Sequence, residues 1–447
     1  MKIRLSLPMT RIEGESKLIV TRDKDRITNV VYNMPTARDF LNVLIGQHIN
    51  DLPKIVPRIC GICPVAHRIG AIKAIESTTD VSIPPIAELI RELALLGEII
   101  RSHTYSVFFS TLADLMYLTN QISRQDILGI DRMQPRVLPI ATKLYECAEA
   151  LITATAGNTN LAFNLIPGGV VQNINSTQQQ DLIQQLSSTL SGVKWTKEYY
   201  NSLLDEIEEE IQHYALPLPL YISSFETKAN RFSGLNQVHF ISDDGTHETV
   251  ACDDFSEYLV EQDLLDAPTK VVYIKSNDES KNLLAGPYAR LAVLQSKPTK
   301  SKKSYIGVPN LFQTGLLRID EMEFALTNAI NLLETEWSKD EDSSIGLTPG
   351  TRIGASAVEA PRGILLYRVS TNSSNRIKDI DIRVPTELNA RAIAVIVQNV
   401  MSACINLGWP NEKILERAMM AVRCFDPCVS CAAHTDYRFR EAGERKT

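Results

Sequence analysis

Two cysteine pairs at opposite ends of the chain constrain what this sequence can fold into more than any other feature. "RICGICPVAH" runs from Arg58 to His67 and "DPCVSCAAH" from Asp426 to His434, so a histidine trails each Cys-x-x-Cys. That spacing lets two sulfurs converge on one metal from a single turn, and two pairs make a four-sulfur site if the fold brings them together. On spacing alone, structural zinc and two separate redox pairs compete with this reading. A redox pair needs a thioredoxin-like βαβ setting, which the flanks do not supply. Both pairs lie in proline- and glycine-punctuated loops beside long apolar helical patterns. The site is therefore expected deep in the protein, where soft thiolates suit nickel or iron.

The remaining cysteines, Cys147, Cys252, Cys404 and Cys424, read as small buried hydrophobes. Eight cysteines in 447 residues are too sparse for a disulfide scaffold. The net charge of −7 argues against nucleic acid as the main partner. No apolar run reaches the ~20 residues of a bilayer span, and the N-terminus lacks the apolar core of a signal peptide. A cytoplasmic protein with no direct membrane span is expected.

The expected class is mainly α with peripheral β (α+β): long buried helices with N-terminal strands. "IRLSLP" and "SKLIVTRDKDRITNVVYNM" alternate as strands with a hairpin at "DKDR". Pro64 is placed to start a helix, and the segment from Ile83 to Leu118 reads as one long buried helix or a kinked pair. Gly157 should stop the following helix. Ser176 or Thr177 should cap the next, with Gly192 as its breaker. Residues 217–310 read as a more irregular inserted region. "ILLYRVSTNSSNRIKDIDIRVPT" reads as a hairpin, and two helices then lead to the second cysteine pair. One catalytic domain over 1–434 and an extension over 435–447 are expected.

The cysteine motifs, together with "TRIEGE", "EAPRGILLY" (Glu359 to Tyr367) and "VPTELN" (Val384 to Asn389), occur in the order found in the large subunit of nickel–iron hydrogenases, which the chain resembles over nearly its whole length. The length and the Ser102–His103 pair are similar to the cytoplasmic bidirectional or coenzyme-reducing members. The resemblance implies reversible oxidation of dihydrogen to protons and electrons at a thiolate-bridged centre of nickel and of iron carrying carbon monoxide and cyanide. Cys60 and Cys428 would be terminal nickel ligands, and Cys63 and Cys431 the bridges. Cys428 would also take the proton and Glu13 would relay it. Arg362 would project over the site, and Asp426 would pair with it or shape the open site. His67 would hydrogen-bond a bridging sulfur and Thr386 a cyanide, while Val384, Pro385 and Leu365 would wall the carbon monoxide.

His434 matches one half of the family's magnesium site. Leu41 stands where the family usually has glutamate and cannot bind a cation, which leaves magnesium open. Leu161–Ala162 and Glu15 also depart from the family pattern. The implied partners are an iron–sulfur small subunit, a further acceptor-reducing subunit, and a maturation endopeptidase that removes the residues after His434. A hydrogen-sensing or poorly active scaffold is the alternative, and so is a relative of the quinone-site subunit of respiratory complex I, which lacks the cysteines.

Overall fold

In the computed structural model the described residues are 2–24, 26–34, 40–216, 219–226, 231–234, 236–242, 245–263, 270–274, 282–295, 310–335, 337, 343–348, 350 and 353–432. His434 and the 435–447 extension lie outside them, as does the segment around "SKPTKSKK".

Three antiparallel strands, β1 (Lys2–Pro8), β2 (Lys17–Asp23) and β3 (Arg26–Asn33), open the chain, with the expected tight hairpin between β2 and β3. Helix α1 (Pro64–Glu76) begins at Pro64 directly after Cys63, because proline's fixed φ and missing N–H suit a helix's first position. The long apolar pattern becomes one continuous rod: α2 (Pro85–Ser106), a π-helical turn (Val107–Thr111) and α3 (Leu112–Leu118). Helix α4 (Val137–Ala156) packs along α2 and ends where Gly157 takes φ +78°, as expected.

The next pair of helices departs from expectation in two details. Asn175, not Ser176 or Thr177, caps α5 (Ser176–Ser187), in a reciprocal box with Gln178. The break before α6 (Leu190–Asp205) falls at Ser188 and Thr189. Gly192 sits inside α6, where a Cβ would stand 3.0 Å from Ile140, so its role is close approach and not helix breaking.

Strands β4 (Pro219–Ser223), β5 (Gln237–Ser242), β6 (His247–Ala251) and β7 (Asn282–Leu284) form a sheet in the order β7-β4-β5-β6, with β7 parallel to β4. Helices α7 (Pro287–Gln295) and α8 (Gln313–Glu334) follow, and α8 packs against α2. Strands β8 (Gly354–Ala360), β9 (Gly363–Thr371) and β10 (Ile377–Arg383) make an antiparallel sheet that includes the expected hairpin. Leu220, Ile222, Val238 and Phe240 of the first sheet share a small hydrophobic cluster with Ala355, Ala357, Ile364 and Leu366 of the second.

Helix α9 (Pro385–Asn406) has the length and hydropathy of a membrane span, yet 56% of that stretch is buried inside the protein, against β3 and α10 (Asn411–Cys424). The chain then reaches the second cysteine pair and a short turn, α11 (Val429–Ala432).

Helix α1 lies across β8 and β9 with Gly70 facing the Tyr367 ring, where an added Cβ would come within 2.7 Å of the ring. Gly70→Ala should therefore overpack this buried contact and cost about 1–3 kcal/mol. The denaturant midpoint should fall. An unchanged midpoint would show that the helix–sheet spacing is looser than described.

Candidate metal centre

All eight cysteines are buried and unpaired, and four of them meet. The sulfurs of Cys60 and Cys428 lie 3.0 Å apart, those of Cys63 and Cys431 3.1 Å, and those of Cys428 and Cys431 2.9 Å. All four fall within 4.8 Å of one another, the one such metal-ligating cluster among the described residues. Sulfurs placed tetrahedrally around zinc at ~2.3 Å would stand ~3.8 Å apart on every edge. The observed edges are closer to the ~3.3 Å of sulfurs set at right angles about a metal at that bond length. Four buried sulfurs converging on one point make a donor set that suits a soft metal ion.

Local structure explains the convergence. Cys60 and Cys63 sit in the loop that α1 terminates. The other pair follows a sharp reversal at Asp426, whose φ of +52° is a left-handed conformation that aspartate tolerates better than most residues. The N-terminal segment holds this loop from the far side. Glu13 bridges to Cys428 in parallel fashion, and its carbonyl accepts from the Val429 N–H.

Burial pushes the Cys428 and Cys431 thiols well above their usual range. Cys60 is held well below it by hydrogen bonds with the other three cysteines, with Arg362 contributing. Four thiolates cannot coexist here without cations, and metal binding would supply them by displacing the protons.

Arg362 occupies the tip of the two-residue hairpin Pro361–Arg362 between β8 and β9. Gly363 closes that turn at φ +133°, where a Cβ would collide with the Gly286 nitrogen at 2.6 Å. The guanidinium donates to the Asp426 carbonyl (2.7 Å), to Asp426 Oδ1 (3.2 Å) and to Ser102 Oγ (3.1 Å). Burial disfavours its charge, but Asp426 and the cysteines Cys428, Cys63 and Cys60 outweigh that and raise its pKa well above the usual value. Its burial rules out a surface ion pair.

Cys63, His67, Arg362, Leu365, Pro385, Thr386, Cys428 and Cys431 line one buried pocket. Val384 is buried immediately before Pro385, as the N-cap residue of α9. The Thr386 hydroxyl accepts from the Cys428 N–H at 2.9 Å. His67 Nδ1 lies 2.7 Å from the Tyr367 hydroxyl, and burial brings the imidazole down to about 4. Glu13 is half-buried, with Oε2 accepting from the Ser430 N–H at 3.0 Å and Oε1 from its hydroxyl. It also lines a crevice of about 350 Å³ with Gly61, Ile62, Arg101, Tyr105 and Glu149. Leu41 belongs to the hydrophobic core.

Sequence reasoning missed the buried charges that hold these parts. Glu98 accepts from the Val65 and Ala66 N–H groups at the start of α1, at 2.7 and 3.0 Å, and burial still pushes it up to about 7. A lone glutamate inside the apolar run "LALLGEII" was the available signal. Asp114 is fully buried and accepts two bonds from Arg423, at 2.6 and 2.9 Å, and another from Arg11. It thereby ties down the segments that precede Asp426 and Glu13. On an unbroken α-helix Ser102 and Asp114 would point about 120° apart. The residue taken up by the π turn removes about 100° of that difference, so the two side chains face nearly the same way, Ser102 toward Arg362 and Asp114 toward Arg423.

Arg290 pairs with Glu359 and Glu321 at 2.7 Å each and donates to the carbonyls of Ala360 and Pro361, which fixes the hairpin that carries Arg362. Arg290→Met leaves two carboxylates without their cation and should cost about 3–5 kcal/mol. Denaturant unfolding would show it. A loss below ~1 kcal/mol, as for a surface pair, would contradict the description.

Comparison with known proteins agrees with this architecture. A family model described as nickel-dependent hydrogenase matches residues 38–128. The vhu F420-non-reducing hydrogenase of Methanocaldococcus jannaschii has one subunit 24% identical over 404 residues, covering 88% of this chain and 96% of the relative. NAD-reducing hydrogenase HoxS subunit beta of Cupriavidus necator is 23% identical over 464 residues, covering 96% and 93%. A solved NAD+-reducing NiFe hydrogenase in the H2-reduced state superposes with a TM-score of 0.84 at 22% identity, covering 97% of this chain and 99% of that one. The Ni-Fe-Se hydrogenase of D. vulgaris Hildenborough gives 0.74 at 16% identity, covering 97% and 100%. The chain thus carries a nickel-dependent hydrogenase segment over residues 38–128, is similar along nearly its whole length to subunits of hydrogenases, and has the fold of nickel–iron hydrogenase large subunits.

Proposed function

We propose that this protein is the catalytic subunit of a nickel–iron hydrogenase, interconverting dihydrogen with two protons and two electrons. The observation that carries the reading is the meeting of Cys60, Cys63, Cys428 and Cys431 beneath a buried, charged Arg362. Held by these four sulfurs, a nickel–iron centre would supply the Lewis-acid and redox chemistry that polarises and splits dihydrogen.

The chain's own residues would handle charge and protons. The Cys428 sulfur receives the proton. Glu13, bonded to Ser430 two residues beyond Cys428 and open on its other side to the crevice, passes it toward solvent. Arg362, pinned by Asp426 and Ser102, keeps a fixed positive charge over the sulfurs. The Thr386 hydroxyl accepts from the Cys428 N–H, and its own proton would be free to bond a cyanide if the iron carries one. Leu365, Val384 and Pro385 form the apolar wall for carbon monoxide. Tyr367, kept protonated by burial, donates to His67 Nδ1. The ring proton then sits on Nε2, where it can bond a bridging sulfur.

Electrons need a route that this chain lacks among its described residues, since Cys147, Cys252, Cys404 and Cys424 form no second ligand cluster. An iron–sulfur small subunit docking on the crevice face, where Tyr105 and Tyr145 are exposed, supplies it, and a further subunit meets the acceptor. Eight unpaired thiols suit the reducing cytoplasm.

Infrared spectra of the purified complex should contain bands of iron-bound carbon monoxide and cyanide, with nickel and iron in equal amounts. Zinc without those bands would sink the reading. Cys428→Ser should abolish viologen-linked turnover. Glu13→Gln should slow hydrogen–deuterium exchange about a hundredfold or more while leaving nickel and iron in place. Exchange at the wild-type rate would remove Glu13 from the proton route.

A further inference from the structure

The outer sheet holds a second convergence of metal-ligating groups. Across β5 and β6, His239 stands opposite Thr249 and Ile241 opposite His247, so His239, Thr249 and His247 project from one face of the antiparallel pair. Along β5, Val238 and Phe240 point into the small cluster, while His239, on the opposite face with the buried Ile241, is half-buried. His247 Nε2 lies 3.2 Å from His239 Nδ1. The Thr249 hydroxyl lies 3.0 Å from the first histidine's nitrogen and 3.4 Å from the second's. Nitrogens bound tetrahedrally to zinc at ~2.0–2.1 Å stand ~3.3–3.4 Å apart. The triangle therefore has nearly the size of one face of a metal ion's coordination shell.

We propose that His239 and His247, with the Thr249 hydroxyl beside them, form a surface site for a borderline divalent transition ion: zinc, nickel or copper. Imidazole nitrogens suit these ions, while magnesium and calcium want oxygen ligands. His239 binds through Nδ1 and His247 through Nε2, with each ring proton on the other nitrogen, so a neutral pair takes up the ion without losing a proton. Burial, together with the neighbouring His247, brings His239 down to about 4, and burial lowers His247 as well, so both rings are in the ligating form at neutral pH. The rings already meet edge-on with centroids 5.1 Å apart, so little reorganisation is needed. Strand β6 is an edge strand of the sheet, and His247 is exposed on it.

The site is independent of the hydrogenase reading and is tested separately from it. The full-length protein with its own tightly held metals, dialysed against a chelator, is titrated with zinc and then nickel by calorimetry. One micromolar site per chain is expected. It should weaken more than about tenfold in His239→Ala or His247→Ala and vanish in the double variant, with the thermal midpoint unchanged. Equal uptake by wild type and double variant, or no uptake by wild type, overturns the proposal.

Discussion

Four cysteine sulfurs held about 3 Å apart in a buried pocket are the constraint on which the rest of this protein depends. As thiolates they repel one another, and burial raises the cost of each charge, which is why the Cys428 and Cys431 thiols resist ionisation. The fold answers with cations. Arg362 is carried to the sulfurs on a hairpin tip and is kept charged there by Asp426 and the cysteines. The remaining positive charge is what a bound metal would provide.

The cluster's geometry is only as firm as its supports, and these are buried ion pairs. Such pairs seldom add much net stability, but losing one partner leaves a stranded charge. Here they link distant segments. Asp114 joins the chain before Glu13 to the chain before Asp426, and Arg290 holds the carbonyls on which the Arg362 hairpin rests. Glu98 does the same for the start of α1, next to Cys63. Each support fixes backbone near a sulfur or near the arginine above it. We read the network as a frame for the centre.

Much of this is legible in the order of residues. The cysteine spacing picks out the side chains that converge, Pro64 and Gly157 mark helix ends, and the alternating segments become strands, because those signals act over a few residues. Where expectation fails, the deciding contact is either a competing neighbour or a distant one. Asn175 outcompetes Ser176 as a cap because Gln178 can return its bond. Gly192 looks like a breaker, and only its approach to Ile140 explains it.

The residues alone determined which side chains could bind metal and that the class would be mainly α, since donor chemistry and hydrophobic period are properties of the local chain. Tertiary structure decided that Cys60 meets Cys428, that one helical rod with a π turn offers Ser102 to Arg362 and Asp114 to Arg423, and that Arg362 is buried and not a surface charge. These depend on packing between segments hundreds of residues apart, where direction and distance are set by helices and sheets that no local pattern encodes.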